Sequence, residues 1–330
     1  MEWITVIVLL LIGLILIIKG GDYFVDSASW IAEVSGIPKL IVGATVVSFA
    51  TTLPELLVSV FSAAKYNPVT NPGAVDLCVG NAVGSVTANT GLILAISLLC
   101  MPSIIKRKDY LLKAILLIGA VSVMTLFCWN GSLNIVGSIL LIVIFAIAMF
   151  ENVREAVKTM KQQKDSAEEK EPLTRKVVIV NILKFVFGVA GIVFGADLLV
   201  DNGSLFASML GVPDRIIAIT ILAVGTSLPE LVTTITAIVK KEHSLSAGNI
   251  IGANIIDLTL ILPICGLVSG GALPVSLSAA RIDIPVCLAV SCVAMLPTLI
   301  FKKFSRVQGA VLLILYIAYI AVSCMGLFSL

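Results

Sequence analysis

Two stretches of this 330-residue chain set a glutamate directly after a proline inside apolar runs: FATTLPELLVS at 49–59 and AVGTSLPELVT at 223–233. Proline lacks an N–H and clashes with the carbonyl four residues back, so Pro54 frees the Ala50 carbonyl and Pro229 that of Gly225. The residues before the prolines, Leu53 and Leu228, are pushed away from helical angles. Each run is therefore expected to break there, with Thr51, Thr52, Thr226 and Ser227 where a new half-helix begins. The first turn of a half-helix favours an anion, and Glu55 and Glu230 stand in it. One break thus supplies carbonyls, hydroxyls and a carboxylate, a hard-oxygen set suited to a cation.

A second pair of motifs adds to this. In GNAVGSVTAN (80–89), Ser85 and Asn89 are four apart and share a helix face. In GNIIGANIID (248–257), Ala253 and Asp257 take the same places, so Asp257 is a third carboxylate in an apolar segment. Gly80 with Gly84, and Gly248 with Gly252, have the GxxxG spacing that lets helices approach closely. A carboxylate at membrane depth costs about 2.5–3.5 kcal/mol on insertion scales. No Lys or Arg lies in the apolar parts of these runs, which leaves a proton or a mobile cation as counter-charge. A single Pro-Glu motif reads equally well as a packing kink; two related copies favour a shared chemical role.

The elements that must hold these residues are membrane helices. The chain is 59% hydrophobic and 13% charged, against roughly a quarter charged in soluble domains, with mean hydropathy +1.11. Ten apolar spans are expected, near 2–19, 39–64, 74–101, 110–128, 132–150, 177–200, 213–239, 245–268, 283–301 and 307–328. The first lacks the basic start and cleavage site of a signal peptide and is kept as a span. The polar stretch 151–176 is a linker or surface helix between a first repeat, 1–150, and a second, 177–330. Nineteen of the 22 Lys and Arg fall on the linker side of the spans, which puts the linker in the cytoplasm and both termini outside a cell membrane.

The two parts are copies. Asp22 pairs with Asp197, Asp26 with Asp201, Pro38 with Pro213 and Glu55 with Glu230, all 175 residues apart, and the GN motifs pair at 168. Five spans per copy is odd, so the second enters the membrane from the opposite face. The expected fold is an all-α polytopic protein of two inverted-topology five-helix repeats with broken helices at the ion site, an architecture found in secondary transporters. The four aspartates, near span ends, read as helix caps in preference to an ion vestibule, and His243, the only histidine, as a solvated turn residue. The seven cysteines lack metal-ligand spacing. No nucleophile–base, nucleotide-binding or cofactor constellation is visible, so no enzyme is expected. Nothing points to nucleic acid or an obligate protein partner; ions and lipid are the expected partners.

These motifs resemble the two alpha-repeats of the sodium/calcium exchanger branch of the cation/calcium exchanger superfamily, in its prokaryotic form, over almost the whole chain. The resemblance implies that Glu55 and Glu230 grip Ca²⁺ with the Thr51 and Thr226 carbonyls. It implies Na⁺ sites built from the Ser48 and Ala223 carbonyls, the Thr51, Thr52, Thr226 and Ser227 oxygens and Ser85, with Asn89 and Asp257 at the centre. Potassium-dependent members are less similar, usually having Asp at both central positions. The chain departs from the pattern at Ser48, Ala50 and Thr52, where Ala, Gly and Ser are commoner, and most consequentially at Ala253, where a Ser ligand is expected. The linker is too short for the calcium-sensing domains of animal exchangers. Three functions remain in view: Na⁺/Ca²⁺ antiport, Ca²⁺/H⁺ antiport, and a cation channel, which buried carboxylates built for tight binding disfavour.

Overall fold

The structure, a computed structural model, describes residues 2–65, 74–101, 107–165, 174–211 and 225–324. Along the chain run α1 (Glu2–Ser35), α2 (Lys39–Val42), α3 (Ser48–Thr51), α4 (Leu53–Ala64), α5 (Ala74–Ala88), α6 (Ala95–Cys100) and α7 (Arg107–Cys128). They are followed by β1 (Ser132–Leu133), α8 (Ile135–Asp165), α9 (Arg175–Met209), α10 (Leu228–Val239), α11 (His243–Ile256) and α12 (Leu262–Val268). Last come β2 (Leu273–Pro274), α13 (Ile284–Phe301) and α14 (Arg306–Cys324). Wider π-helical turns cover Gly43–Val47, Asn89–Leu94, Asp257–Ile261 and Ala279–Asp283.

Among the described residues, eight helices are long and apolar enough to cross a membrane, and the broken run Lys39–Thr51 plus Leu53–Ala64 makes a ninth. The shorter apolar α10 is the visible part of the seventh expected span, whose beginning, with Pro213, lies outside the described residues. The repeat is legible element by element. Helix α4 and helix α10 coincide at an offset of 175, and Gly36 and Gly211, at the same offset, both turn left-handed (φ 73° and 80°) just after α1 and α9. Glycine takes that conformation without Cβ strain, which ends a helix sharply.

Two expectations about span ends need correction. Helices α1 and α9 run 34 and 35 residues, well past the apolar windows 2–19 and 177–200. A hydropathy window marks only the apolar part of a helix, and aspartates do not stop one. Asp22, Asp26, Asp197 and Asp201 are accordingly inside helices rather than capping them. Helix α8 continues through the first part of the polar stretch to Asp165, in keeping with the surface-helix alternative, because its Glu, Lys and Gln residues are good helix formers; residues 166–173 lie outside the described residues. His243 opens α11 half-buried, with Nδ1 buried and lacking a hydrogen-bond partner among the described residues.

By internal packing the chain divides into two units, 1–51 with 149–249, and 52–148 with 250–330. In the first, α1 and α9 lie antiparallel in backbone contact. A Cβ on Gly20 would stand 2.8 Å from the Ile192 nitrogen, one on Gly188 2.7 Å from that of Phe24, and one on Gly195 2.8 Å from the Gly13 carbonyl oxygen. Phe24 packs on Phe185 (5.0 Å between ring centres), with Val25, Ala28 and Ile192 filling the seam. Lys240 bridges Asp26 (2.7 Å) and Asp22 (3.4 Å), and Lys39 bridges Glu242 (2.7 Å) and Glu33 (3.4 Å). Asp197 and Asp201 are exposed on α9.

In the second unit, α4, α5 and the turn Asp257–Ile261 pack against one another, α7 against α13, and α6 against α14. Tyr110 of α7 bonds the Met295 sulfur (2.7 Å) and meets Phe304 edge-on. The loops carrying β1 and β2 pair antiparallel, Leu133 opposite Leu273, a tie that hydropathy alone does not signal.

Candidate functional site

Both proline motifs build the same local structure. Thr52 caps α4 with φ −85° and ψ −3°, and Ser227 caps α10 with φ −89° and ψ 7°, the narrow bridge region between helix and strand. Neither cap uses its side chain toward the helix. The first backbone bonds run from Leu56 N–H to the Thr52 carbonyl and from Leu231 N–H to the Ser227 carbonyl, each 3.0 Å. The break falls one residue before the expected position: Leu53 and Leu228 are already helical, and Thr52 and Ser227 absorb the turn. The reason is that a proline at the second helical position surrenders an N–H that has no intrahelical acceptor there. Glu55 and Glu230 become the third helical residues, both 1% exposed, at the positive end of the helix dipole.

In the unit that holds 225–249, Glu230 belongs to a chain of bonds. The Thr233 hydroxyl donates to the Glu230 carbonyl (3.0 Å), the Asn249 amide donates to Thr233 Oγ1 (2.9 Å), and the Thr51 hydroxyl donates to Asn249 Oδ1 (3.2 Å), with the Ser48 carbonyl as a second acceptor at 3.3 Å. Ser48 is buried and bonds the Thr45 carbonyl (3.1 Å). Thr226 is half-buried in the turn, and the Ser227 hydroxyl is buried without a hydrogen-bond partner among the described residues. Asn249 reaches these groups because α11 lies on the first half of the broken span with no side chain between. A Cβ on Gly248 would fall on the Leu40 carbonyl oxygen, and one on Gly43 on that of Leu245. The close approach expected of the GxxxG spacing is therefore seen at Gly248. A Cβ at Gly80 or Gly84 has no described atom within 4 Å, and the expected residue Ala223 lies outside the described residues.

In the other unit, Asn81 of α5 donates to Ser59 Oγ (2.9 Å) and to the Glu55 carbonyl (3.3 Å), both on α4. Ser85 and Asn89 are buried, and Ser85 Oγ and Asn89 Oδ1 have no hydrogen-bond partner among the described residues. Asn89 and Asp257, the paired central residues, each open a π-helical turn. Such turns widen the helix and recur at functional sites. Asp257 and Thr52 are 1% and 2% exposed. Asn254, one turn before Asp257, donates to Thr90 Oγ1 (2.8 Å). Ala253, at the place matching Ser85, is fully buried.

Each unit thus gathers its share of the expected residues: Ser48, Thr51, Thr226, Ser227 and Glu230 in one, Thr52, Glu55, Ser85, Asn89 and Asp257 in the other. The reading from sequence passed over Asn81 and Asn249, although the repeat aligns them at 168 residues within the quoted motifs. The glycine seam of α1 and α9 is a further feature outside that reading, although Gly191 and Gly195 on α9 have the GxxxG spacing that could have signalled it.

Comparison with known proteins agrees in extent. The family model described as Sodium/calcium exchanger protein matches residues 5–152 and 180–325. The Sodium/calcium exchanger MaX1 of Methanosarcina acetivorans is 31% identical over an alignment of 354 positions, covering 95% of this chain and 97% of that protein. The Inner membrane protein YrbG of Escherichia coli is 32% identical over 276 positions, 80% of each chain. A structure of the sodium-calcium exchanger NCX_Mj soaked with Na⁺ and Sr²⁺ superimposes with TM-score 0.80 and 29% identity, covering 97% of this chain and 99% of that one.

Proposed function

The chain belongs to the sodium/calcium exchanger family, and from that premise we propose that it is a secondary antiporter exchanging Na⁺ for Ca²⁺ across the cell membrane by alternating access. It is a multi-pass membrane transporter. The observation that carries the finer reading is the set of buried oxygens on motif residues, Ser85 Oγ, Asn89 Oδ1 and Ser227 Oγ, that make no hydrogen bond among the described residues. Buried polar atoms without partners are rare and call for a ligand or water. Neutral oxygens of this kind beside a carboxylate suit Na⁺, and the carboxylates suit Ca²⁺.

In this proposal Glu55 and Glu230 supply the charge for Ca²⁺, completed by the Thr51 and Thr226 carbonyls. Na⁺ takes Ser48, Thr51, Thr52, Ser85, Ala223, Thr226 and Ser227 oxygens, and Asn89 and Asp257 serve the centre. Because the ion sets overlap, three Na⁺ or one Ca²⁺ bind, and each load excludes the other. The α1–α9 pair, joined backbone to backbone, moves as one body to alternate access. Repeats 1–150 and 177–330 are joined by a cytoplasmic linker at 151–176. The direct test is Ca²⁺ binding to the purified protein at fixed pH, titrated with NaCl or with choline chloride. The proposal expects Na⁺ alone to displace Ca²⁺; equal effects of the two salts, with displacement only by acid, would replace Na⁺ by H⁺.

Two further outcomes are expected. Lys161 is exposed near the end of α8, on the linker side. A Lys161→Cys variant should resist impermeant maleimide in right-side-out vesicles and react once they are opened, measured against the wild-type cysteines. Rapid labelling of sealed vesicles would reverse the orientation.

Ala253→Ser should restore the hydroxyl that the repeat places opposite Ser85. One neutral ligand is worth about 1 kcal/mol, or roughly fivefold at one site. Spread over three cooperating Na⁺, half-activation of Ca²⁺ efflux should fall to about half the wild-type Na⁺ concentration, with Ca²⁺ half-saturation unmoved. A Na⁺ curve that stays in place would remove this position from the sodium ligands.

A further inference from the structure

Asn81 and Asn249 have no place in the ligand set above, yet each ties its helix to the half-helix that bears a glutamate, directly in one repeat and through Thr233 in the other. Each stands on the helix that follows a broken span, at the second position of its GN motif. Each turns its amide hydrogens toward the half-helix bearing the glutamate. Asn81 bonds the Glu55 carbonyl directly (3.3 Å) and Ser59 one turn on (2.9 Å). Asn249 bonds Thr233 (2.9 Å), and Thr233 bonds the Glu230 carbonyl (3.0 Å). Asn249 is 1% exposed and has both ends of its amide engaged, since Oδ1 accepts from Thr51 (3.2 Å). A side chain so committed holds other groups in place.

We infer that Asn81 and Asn249 are positioning residues that set the rotation of α4 and α10 about their axes, and with it the aim of Glu55 and Glu230. The half-helices need such a hold. Neither has a side-chain cap, and each starts from a residue in the bridge region, so the backbone alone leaves their rotation weakly fixed. A hydrogen bond to the carbonyl of the glutamate itself, or to a neighbour that bonds that carbonyl, acts at the residue whose side chain must be aimed. Asn249 adds a second effect. The proton of Thr51 is drawn toward Oδ1, which leaves the Thr51 oxygen lone pairs for a cation. The close approach at Gly43 and Gly248 brings Asn249 within reach of both partners.

The inference rests on the exchanger reading, because it assigns the two glutamates to Ca²⁺. Its test is equilibrium binding of radiolabelled Ca²⁺ to detergent-purified protein, which yields both Kd and sites per molecule. The variants are Thr233→Val, Thr233→Ser, Asn249→Ala and the Thr233→Val/Asn249→Ala pair, with Ser59→Ala and Asn81→Ala for the other repeat. Thr233→Val removes the acceptor of Asn249 at constant size and touches no proposed ligand, so it remains informative if Asn249→Ala fails to fold. Loss of one such bond should raise Kd about three- to tenfold at unchanged sites per molecule. Thr233→Ser should bind like wild type, and the double variant should be no weaker than Asn249→Ala alone, as for residues acting through one connection. A residue with a merely structural role lowers the number of sites and leaves Kd unchanged. An unchanged Kd in Thr233→Val and in Asn81→Ala, failure of Thr233→Ser to restore binding, or additive losses would overturn the inference while leaving the exchanger reading standing. Absence of saturable Ca²⁺ binding in the wild type would overturn both.

Discussion

Glu55→Gln and Glu230→Gln should each abolish Ca²⁺ transport while leaving the protein folded. Both residues are 1% exposed and sit in the first turn after a break, and a carboxamide fits the same space and keeps the helix start. What changes is charge. A divalent ion leaving water for a buried site needs opposite charge close by, and neutral dipoles replace it poorly. Interactions with charged groups are worth about 1.5–3 kcal/mol net even in ordinary settings, a factor of about ten to a hundred, and a buried divalent ion sits at or beyond the upper end, so a loss of about a hundredfold in uptake is expected. Uptake by proteoliposomes and the melting temperature of the same preparation are the measurements. Transport within twofold of wild type from either variant, at normal stability, would remove the carboxylates from the mechanism.

The second large effect is expected at Gly248. Any side chain there meets the Leu40 carbonyl oxygen and lies 3.1 Å from the Ala44 nitrogen, both backbone atoms that have no rotamer to change. Helix α11 must then move off the first half of the broken span. Overpacking of this kind costs about 1–3 kcal/mol, yet transport should suffer more than stability because α11 carries Asn249. Gly248→Ala should melt a few degrees lower and lose about tenfold or more in uptake. Gly119→Ala is the control, since a Cβ there has no described atom within 4 Å; it should match wild type. Equal activity of the two variants would show that the close approach at Gly248 is dispensable.

The parts of the fold set by strong local chemistry were legible in the residues. Proline and the bulk of apolar side chains announce the broken spans and the membrane helices. The constant offsets of 175 and 168 announce the repeat and pair Glu55 with Glu230 and Asn89 with Asp257. Features that depend on a partner far along the chain were not legible. Asp22 and Asp26 read as caps because nothing local shows Lys240, more than 200 residues away, bonding them. The glycines at 13, 20, 188, 191 and 195 acquire meaning only when α1 and α9 lie together. Asn81 and Asn249 were visible as a repeated pair, but asparagine has both a donor and an acceptor, and its role is fixed only by what it meets. The π turns at Asn89 and Asp257 leave no mark in hydropathy, which averages over the extra residue.

The central claim is that this chain couples Ca²⁺ movement to Na⁺ through its paired broken spans. The most direct measurement is uptake of radiolabelled Ca²⁺ into proteoliposomes loaded with Na⁺ and diluted into Na⁺-free medium, with pH equal and buffered on both sides. The account predicts rapid uptake that disappears when internal Na⁺ is replaced by choline and when Glu55→Gln replaces the wild type. Uptake that persists with choline inside and instead follows an imposed pH gradient would contradict it.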